Sequence, residues 1–529
     1  MDTSASDRSP PTGMFDVAVV GFGPVGQALA LGLAQQGHSV VVLEKWPQLY
    51  GLPRAVGLDH EAMRILQSLG IADAFESRTQ LSDVYEWRNA QMQTLMAFPG
   101  MSRPGLSGWA QMRSFNQPTL ERMLSEKIRE EHAGQVTVHN GMTVVGLQVH
   151  PDHVLLQSRS TLDTTAPGCD VTARYVVGCD GAGSFVRASM GSRLEDISFA
   201  ADWLVVDLVP HDPAACTDEL IQLCDPTRPT TAVSGGPRRR RFEFMMLEGE
   251  RKEEFNNAPA AWELLKPWGW SPQNALLERH AVYTFRAAVA DRWRLGRLMI
   301  AGDAAHLTPP FAAQGLCAGL RDMASLWWRL DMVLRGRASD ALLESYTSER
   351  RMHARVLVEF AVELGKVICL LDPQAAAGRD RALLSADKRE PEKMPEPRLG
   401  PSCLIRAGDS AAGLLSIQGR VRHFGREGRF DDFMGHRFML LGNGYDPGTR
   451  LNDAQRAFLM SIGARCAGIG VHCDIQDIDG SYRQWFEMLS TEAVLVRPDF
   501  YMLGSGDPAG LVEHLMSAWT PFAPAADVA

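Results

Sequence analysis

The sequence contains no pair of cysteines separated by two residues, and its nine cysteines are scattered over 529 residues. A common structural zinc site, or the redox site of a thioredoxin, needs thiols at that short spacing. The absence of this motif argues against both, and we expect no metal site. Reduced, unpaired cysteines are the ordinary state in a cytoplasm, which is where we expect the protein.

A hydrophobic run long enough to cross a membrane is also absent. The most apolar early stretch, residues 17–33, is interrupted by glycines, a proline and Gln27, whereas a spanning helix needs roughly 20 apolar residues. The first 13 residues are polar and include acidic side chains, unlike a secretory signal. We therefore expect a short loose tail and no transmembrane segment.

Positive charge is not in excess. Lys and Arg number 53 against 63 Asp and Glu, which gives a formal charge of -10 and argues against a nonspecific nucleic-acid or anionic-membrane binder. Hydrophobic residues at 45% and charged residues at 22% are typical of a globular enzyme. The length allows about two to four domains, and small molecules are the expected ligands.

The first readable unit has the pattern of a dinucleotide-binding βαβ segment. Residues 16–20 and 39–43 are predicted strands, and residues 28–36 are a predicted helix. The sequence GFGPVG (residues 21–26) lies between the first strand and the helix, where glycines permit a tight turn and close approach of a pyrophosphate. Glu44 ends the second strand, where it can bind a ribose. The alternative is a glycine-rich turn used only for packing.

Two later strands are each followed by an aspartate. Residues 175–179 precede Asp180 in CDGAGSFVR, and residues 297–301 precede Asp303 in AGDAAHLTPPFAAQGL. The carboxyl ends of strands are where doubly wound sheets bind their ligands. We therefore expect both aspartates to lie near the glycine-rich turn.

In this order, the three segments resemble the signatures of the FAD-dependent aromatic hydroxylases, the single-component flavoprotein monooxygenases. PRAVGLD (residues 53–59), SFNQPTLE (residues 114–121) and LVRPDFYMLG (residues 495–504) are similar to the branch that contains 3-(3-hydroxyphenyl)propionate hydroxylase and phenol hydroxylases. The resemblance covers nearly the whole chain. It implies an α/β fold with a Rossmann-like FAD-binding domain, an inserted β-sheet substrate domain and a C-terminal thioredoxin-like domain.

The resemblance also implies domain boundaries. The expected FAD-binding domain comprises residues 1–75, 100–190 and 287–372, the substrate domain 76–99 and 191–286, the linker 373–402, and the C-terminal domain 403–529. Because the last of these lacks closely spaced cysteines, we expect it to have a structural or oligomer-contact role.

The resemblance implies a set of cofactor-binding positions and assigns no catalytic side chain. The set comprises Gly21, Gly23, Pro24, Val25, Gly26, Glu44, Lys45, Arg54, Arg113, Gln117, Asp180, Gly302, Asp303, Pro310, Gly315, Leu316 and Cys317.

Within that set the resemblance implies individual roles. The glycine-rich turn would hold the FAD pyrophosphate, and Glu44 the adenosine ribose. Arg54 would lie beside the phosphates, although a solvated arginine is the alternative. Arg113 and Gln117 would lie near the ribityl chain, and Asp303 would bind the ribityl hydroxyls. Pro309, Pro310 and residues Gly315 to Cys317 would flank the isoalloxazine ring, and Asp180 belongs to a motif associated with both FAD and the nicotinamide cofactor.

Several other residues carry weaker expectations. His306 is expected to be a structural histidine tied to neighbouring backbone, and Trp327 and Trp328 are expected in the core. The run Arg238–Arg241 is expected on the surface, as most charge runs are. His280, Tyr283 and Phe285 are predicted on one strand, but alternation does not tell which of them faces the substrate.

The activity that the resemblance implies is hydroxylation of a phenolic aromatic substrate with NAD(P)H and O2, through a flavin C4a-hydroperoxide. FAD is the expected cofactor, with NADPH or NADH as co-substrate, and a homodimer is left open. Alternatives are a tailoring oxygenase for a bulky polycyclic aromatic, a flavin-dependent halogenase or reductase, an NAD-only dehydrogenase, and an FAD-binding protein without oxygenase activity. The helix start Gln314–Cys317, with Leu316 and Cys317 after Gln-Gly, departs from one set of relatives, so the subfamily stays open.

Overall fold

The computed structural model describes residues 13–163, 168–385 and 395–523. Three large sheets and one small sheet, with helices between them, form a mixed α/β architecture. This confirms the predicted fold class.

The first sheet is built around the glycine-rich unit. From one edge its strands are Arg294–Leu295, Leu298–Ile300, Val171–Gly178, Phe15–Val20, Val40–Glu44 and Val136–Asn140, with Met142–Val149 and Val154–Ser160 attached through Val171–Gly178. The central strands are parallel and buried on both faces, which explains their continuous valine-rich sequences. Helices Pro24–Gln35, Gln117–Glu131 and Gln314–Leu334 pack together beside it, and the predicted βαβ unit is confirmed.

The second sheet has one face on a helix and the other on a cavity. Its strands, in order, are His306–Leu307, Ala275–Ala290, Leu194–Pro210, Arg240–Met245, Thr230–Ser234, Leu220–Leu223, Val84–Arg88 and Thr94–Pro99. Leu204, Val206 and Leu208 belong to a core with helix Ala258–Leu265. Since side chains alternate along a strand, the residues between them face the other way. We call this other side the inner face.

The third sheet forms the C-terminal domain. Its strand order is Arg426–Arg429, Arg420–His423, Ile475–Asp477, Arg465–Ile469, Met439–Asn443, Ala493–Val496 and Met502–Ser505. Met439–Asn443 pairs parallel with Arg465–Ile469 and antiparallel with Ala493–Val496. Helices Phe430–Met434, Asp453–Ser461, Ser481–Leu489 and Pro508–Trp519 accompany these strands. The last four strands of the order have the thioredoxin-like arrangement that the sequence predicted.

The remaining elements connect these units. The small sheet contains Gly57–Asp59, Met112–Phe115 and Thr79–Gln80, and the other helices are His60–Ser68, Ala72–Glu76, Phe185–Ser189, Lys252–Phe255, Glu344–Ile368 and Pro373–Ser385. The segment predicted as a linker thus begins with a helix, while its residues 386–394, like the tail at residues 1–12, lie outside the described residues.

Among the helices of the described ranges, none has the length and apolar character needed to cross a membrane. No cluster of three or more His, Cys, Asp or Glu side chains able to hold a metal was found in the same ranges.

Candidate active site

A large cavity lies between the first sheet, the inner face of the second sheet and the C-terminal domain, with a volume of about 1950 Å³. The members of the sequence-based set that line it are Gly23, Pro24, Val25, Arg54, Gln117, Gly302, Asp303, Pro310, Gly315 and Leu316. Those that are not in its wall are Gly21, Gly26, Glu44, Lys45, Arg113, Asp180 and Cys317. Segments from distant parts of the chain therefore meet at one site.

Two glycines of the turn are required by the packing of the protein itself. Gly21 has a φ of 101°, and a Cβ there would lie 2.4 Å from the carbonyl oxygen of Cys179. A Cβ at Gly26 would lie 2.1 Å from the carbonyl oxygen of Gly21. Any side chain at either position would force strand and helix apart, because real Cβ atoms do not approach oxygen so closely.

Gly23 is not required by packing in the way that Gly21 and Gly26 are. Its φ of -71° suits any residue, and a Cβ there would meet no atom of the described residues within 4 Å. It is the N-cap of helix Pro24–Gln35, where Ser, Thr, Asp or Asn would stabilise the helix better. A ligand that approaches the backbone at Gly23 explains the glycine, and the free N–H groups of the first turn suit an anion.

Glu44 is held beside this turn. Its carboxylate accepts hydrogen bonds from the backbone N–H of Phe22 at 2.6 Å and of Trp46 at 2.8 Å. The exposed Lys45 places its ammonium 5.6 Å from the centre of the Trp46 ring. Glu44 is thus fixed next to the glycine-rich turn, whereas Lys45 points to solvent.

Arg54 and Asp303 both line the cavity. The Arg54 guanidinium stacks over the Tyr50 ring, 4.5 Å from its centre. Surrounding protein raises the pKa of the Asp303 carboxyl, and His306 and Arg54 oppose that rise. The Asp303 carboxyl is therefore a hydrogen-bonding group on the wall, within the field of a cation.

Asp180 uses its carboxylate within the protein. It accepts hydrogen bonds from the backbone N–H of Phe185 at 2.7 Å and of Val186 at 3.2 Å, and from the Ser184 hydroxyl at 2.5 Å. These bonds fix the turn that brings Gly181 to the cavity. The aspartate shapes the wall without being part of it.

The side chains of Arg113 and Gln117, which the resemblance placed near the ribityl chain, lie in different surroundings. Gln117 lines the cavity and accepts a hydrogen bond from the backbone N–H of Ala55 at 2.7 Å. Arg113 turns away, where it pairs with Glu76 and donates to the Thr79 hydroxyl at 3.0 Å. The structure therefore brings the Gln117 side chain to the site and directs that of Arg113 elsewhere.

Cys317 is buried on the inner side of its helix. Its thiol lies 3.5 Å from the carbonyl oxygen of Ala313 and 3.9 Å from that of Gly57. Leu316 and Gly315, one and two residues earlier, line the cavity.

The expectation that Arg238–Arg241 lies on the surface is wrong for its last two residues. Arg241 is 2% exposed and forms a buried ion pair with Asp207, with N···O distances of 2.7 and 2.9 Å. It also donates to the backbone carbonyls of Pro53, at 3.0 Å, and Arg54. Buried Arg240 donates to the carbonyl of Glu219 at 2.8 Å. Arg240 and Arg241 begin a central strand, and the inner-face member, Arg241, points into the protein.

The inner face has an aromatic end that sequence reasoning largely missed. The strand side chains there that line the cavity are Tyr85, Trp87, Met96, Phe98 and Phe285, and Phe311 joins them from the turn Pro310–Ala312. Ring centres are 5.7 Å apart for Tyr85 and Phe98 and 6.4 Å apart for Phe285 and Phe311. Tyr283 also faces the cavity, while His280 lies on the opposite side of the strand, in an outer groove. Such a wall suits a flat apolar ring.

His306 is structural, but its partner differs from the expected one. Its Nε2 lies 2.8 Å from a carboxylate oxygen of Asp322, and both side chains are fully buried. The expected tie to neighbouring backbone is corrected to this hydrogen-bonded contact with a carboxylate of helix Gln314–Leu334.

Glu121, which contacts Gln117, is expected to make the stability of the protein depend on pH. It is 4% exposed and accepts a hydrogen bond from the Gln117 amide at 2.7 Å. Burial raises its pKa to about 7, against the opposing hydrogen bond. An unfolded glutamate titrates near pH ~4.3, so between these values the folded chain retains a proton that the unfolded chain loses. This residue therefore destabilises the fold progressively as pH rises to 7.

We expect Glu121→Gln to raise the free energy of unfolding by ~3 kcal/mol at pH 8.5, and by little at pH 4.5. Urea denaturation of the cofactor-free variant and parent at both pH values measures the difference. An equal effect at the two pH values would refute the assignment.

Comparison with known proteins agrees with this geometry. A family model described as FAD binding domain matches residues 14–361, and one described as HcaD C-terminal domain matches residues 413–519. A probable NADH-specific resorcinol 4-hydroxylase of Rhodococcus jostii is 36% identical over 96% of this chain and 95% of its own. A 3-(3-hydroxy-phenyl)propionate/3-hydroxycinnamic acid hydroxylase of Paraburkholderia xenovorans is 32% identical over 96% and 91%.

Solved structures share the fold. Aklavinone-11 hydroxylase, in complex with FAD and aklavinone, has a TM-score of 0.77 at 23% identity, over 96% of this chain and 99% of that one. The flavin-dependent monooxygenase PieE, with FAD and substrate, has a TM-score of 0.77 at 21% identity, over 97% and 100%. The chain belongs to the FAD-dependent aromatic hydroxylases, which are flavoprotein monooxygenases, and FAD is its cofactor.

Proposed function

We propose that the protein hydroxylates a phenolic compound, with NADH or NADPH as reductant and O2 as oxygen source. The observation that carries this proposal is a single cavity with a dinucleotide-type glycine turn at one end and an aromatic wall at the other. The two relatives named above, a resorcinol hydroxylase and a hydroxyphenylpropionate hydroxylase, are both named for phenolic substrates and support it.

The residues present fit FAD. We assign the pyrophosphate to the open side of Gly23 and the first turn of its helix, and the adenosine ribose to Glu44. Asp303 is assigned to hydroxyl groups of the ribityl chain. The backbone N–H groups around Gly315, at the start of helix Gln314–Leu334, would stabilise negative charge. When bound, FAD supplies the transfer of electrons and the activation of O2 that no side chain provides.

The protein's own contribution on the substrate side is position and exclusion of water. The aromatic wall packs against the substrate ring, and Gln222, Thr231 and Glu243 present hydrogen-bonding groups from the same inner face. Burial raises the pKa of the Glu243 carboxyl, which suits a group that receives a proton from a phenol.

A substrate panel tests the proposal. FAD-loaded protein would be assayed for NADH and NADPH oxidation with resorcinol, 3-(3-hydroxyphenyl)propionate, phenol and a polycyclic phenol. We include the polycyclic compound because the cavity is larger than the roughly 300–1,000 Å³ of ordinary ligand sites. We expect at least one monocyclic phenol to stimulate oxidation and to gain one oxygen atom from labelled O2. Stimulated oxidation without labelled product from any compound would contradict hydroxylation and indicate a reductase.

A further inference from the structure

We propose that Tyr501, in the C-terminal domain, is a positioning residue of the FAD site. Its hydroxyl completes a buried hydrogen-bonded path. This path joins Gln314, at the start of the long helix, to Gly302, in the loop that carries Asp303. This inference rests on the assignment of FAD to the cavity between these two segments. It gives the C-terminal domain a role in the cofactor site beyond the structural one expected from the sequence.

The first half of this hydrogen-bonded path starts at helix Gln314–Leu334. The Gln314 amide donates to Asp59 at 3.1 Å and accepts a hydrogen bond from Arg321 at 3.0 Å. Arg321 also pairs with Asp59 and, at 2.5 Å, with Glu61. Tyr501 then donates its hydroxyl to the other carboxylate oxygen of Glu61 at 2.8 Å. The start of the helix is thereby connected to the C-terminal domain.

The second half returns to the loop. His353 Nε2 lies 3.0 Å from the Tyr501 oxygen, and Arg350 donates to His353 Nδ1 at 2.8 Å. Arg350 also donates to Asp322 at 3.0 Å. The other oxygen of Asp322 accepts the backbone N–H of Gly302 at 3.0 Å. One continuous path thus passes through Tyr501.

The direction of each bond is fixed by chemistry. Arginine only donates, so Nδ1 of His353 must accept and Nε2 must carry the proton. Burial and the charge of Arg350 hold the pKa of His353 well below its usual range, which keeps the ring neutral. The Tyr501 oxygen therefore receives one hydrogen bond and gives its own to Glu61. Among the described residues of the path, only Tyr501 bridges the side chains of His353 and Glu61.

The segment that the path anchors is strained. Ala313, immediately before Gln314, has a φ of 54°, which non-glycine residues seldom adopt. Such a conformation persists only where the surroundings hold it. The hydrogen bonds that join Gln314 to Asp59 and to Arg321 supply that restraint. Tyr501 in turn holds Glu61, which is the ion-pair partner of Arg321.

Tyr501→Phe tests this inference because it removes one hydroxyl and keeps the ring. Two buried groups, on His353 and Glu61, lose their partner, and we expect FAD to bind about 5- to 100-fold more weakly. Fluorescence titration measures this affinity. We also expect a smaller FAD-induced rise in melting temperature and more NADH oxidation that yields hydrogen peroxide.

Tyr482→Phe is the matched control. Tyr482 is fully buried in the same domain, and its hydroxyl accepts a hydrogen bond from Gly419 at 3.4 Å, outside the path. We expect it to alter stability alone. If Tyr501→Phe and Tyr482→Phe lower the melting temperatures of the free and FAD-bound protein equally and leave the affinity unchanged, Tyr501 is merely structural.

A second pair of variants keeps the test decisive if Tyr501→Phe folds poorly. His353→Gln retains an acceptor for Arg350 and a donor for Tyr501, whereas His353→Leu has neither. We expect the leucine variant to weaken FAD binding and the glutamine variant to restore most of it. Equal affinities in the two variants would overturn the proposal. FAD affinity does not depend on hydroxylation, so failure of the phenol assay would leave this result readable.

Discussion

Gly23→Asp is expected to weaken FAD binding roughly 1,000-fold while leaving the fold intact. The position has an ordinary φ and open space beyond its Cα, so the new side chain meets no steric barrier. An aspartate there caps helix Pro24–Gln35 and stabilises the cofactor-free protein by roughly a few tenths of a kcal/mol. The same carboxylate would lie where we place the pyrophosphate. Repulsion of two charges about 4 Å apart costs ~4 kcal/mol near a protein surface, which corresponds to roughly a 1,000-fold loss of affinity.

Titration of the cofactor-free variant with FAD, alongside its melting temperature, measures both effects. Gly23→Ser is the matched control, because serine caps a helix without charge and should lose much less affinity. Gly26→Ala should instead misfold or lose stability, since its Cβ would collide with the Gly21 carbonyl. Retention of parental affinity in Gly23→Asp would place the pyrophosphate elsewhere.

The second large effect is expected for Arg241→Met. This change leaves Asp207 buried without its principal partner and removes the donors to the carbonyls of Pro53 and Arg54. Breaking a buried ion pair from one side costs about 3–5 kcal/mol. We therefore expect a large fall in the free energy of unfolding, together with weaker FAD binding, because the segment carrying Arg54 loses its anchor.

Arg238→Met provides the comparison, since Arg238 is exposed in the same run and surface changes usually stay within ~0.5 kcal/mol. Denaturation and FAD titration of both variants separate the two positions. Equal stability in the two variants would show that the Arg241–Asp207 pair contributes nothing.

Local sequence predicted the elements that determine their own structure. Valine-rich strands and the glycine-rich turn define the βαβ unit through local sterics. Gly26 is required by its contact with Gly21, five residues earlier, and Gly21 by its contact with Cys179 at the end of the paired strand. Alternation predicted the strand that carries His280, Tyr283 and Phe285 but left its inner face undecided, because a strand alone does not show which side is covered.

Long-range packing decided what the sequence left open. Arg241 looked like part of a surface charge run, and only its pairing with a neighbouring strand buries it beside Asp207. Arg113 turns toward Glu76 because that partner lies on the far side of its strand. Tyr501 and Glu61 are 440 positions apart, a separation at which a single sequence carries no signal.

The most direct test of the central claim is a crystal structure of the protein soaked or grown with FAD. The account predicts pyrophosphate density over Gly23, a ribityl chain within hydrogen-bonding distance of Asp303, and an isoalloxazine ring between Gly315 and the aromatic wall that includes Phe285. FAD bound away from the glycine turn, or with Asp303 out of its reach, would contradict the account.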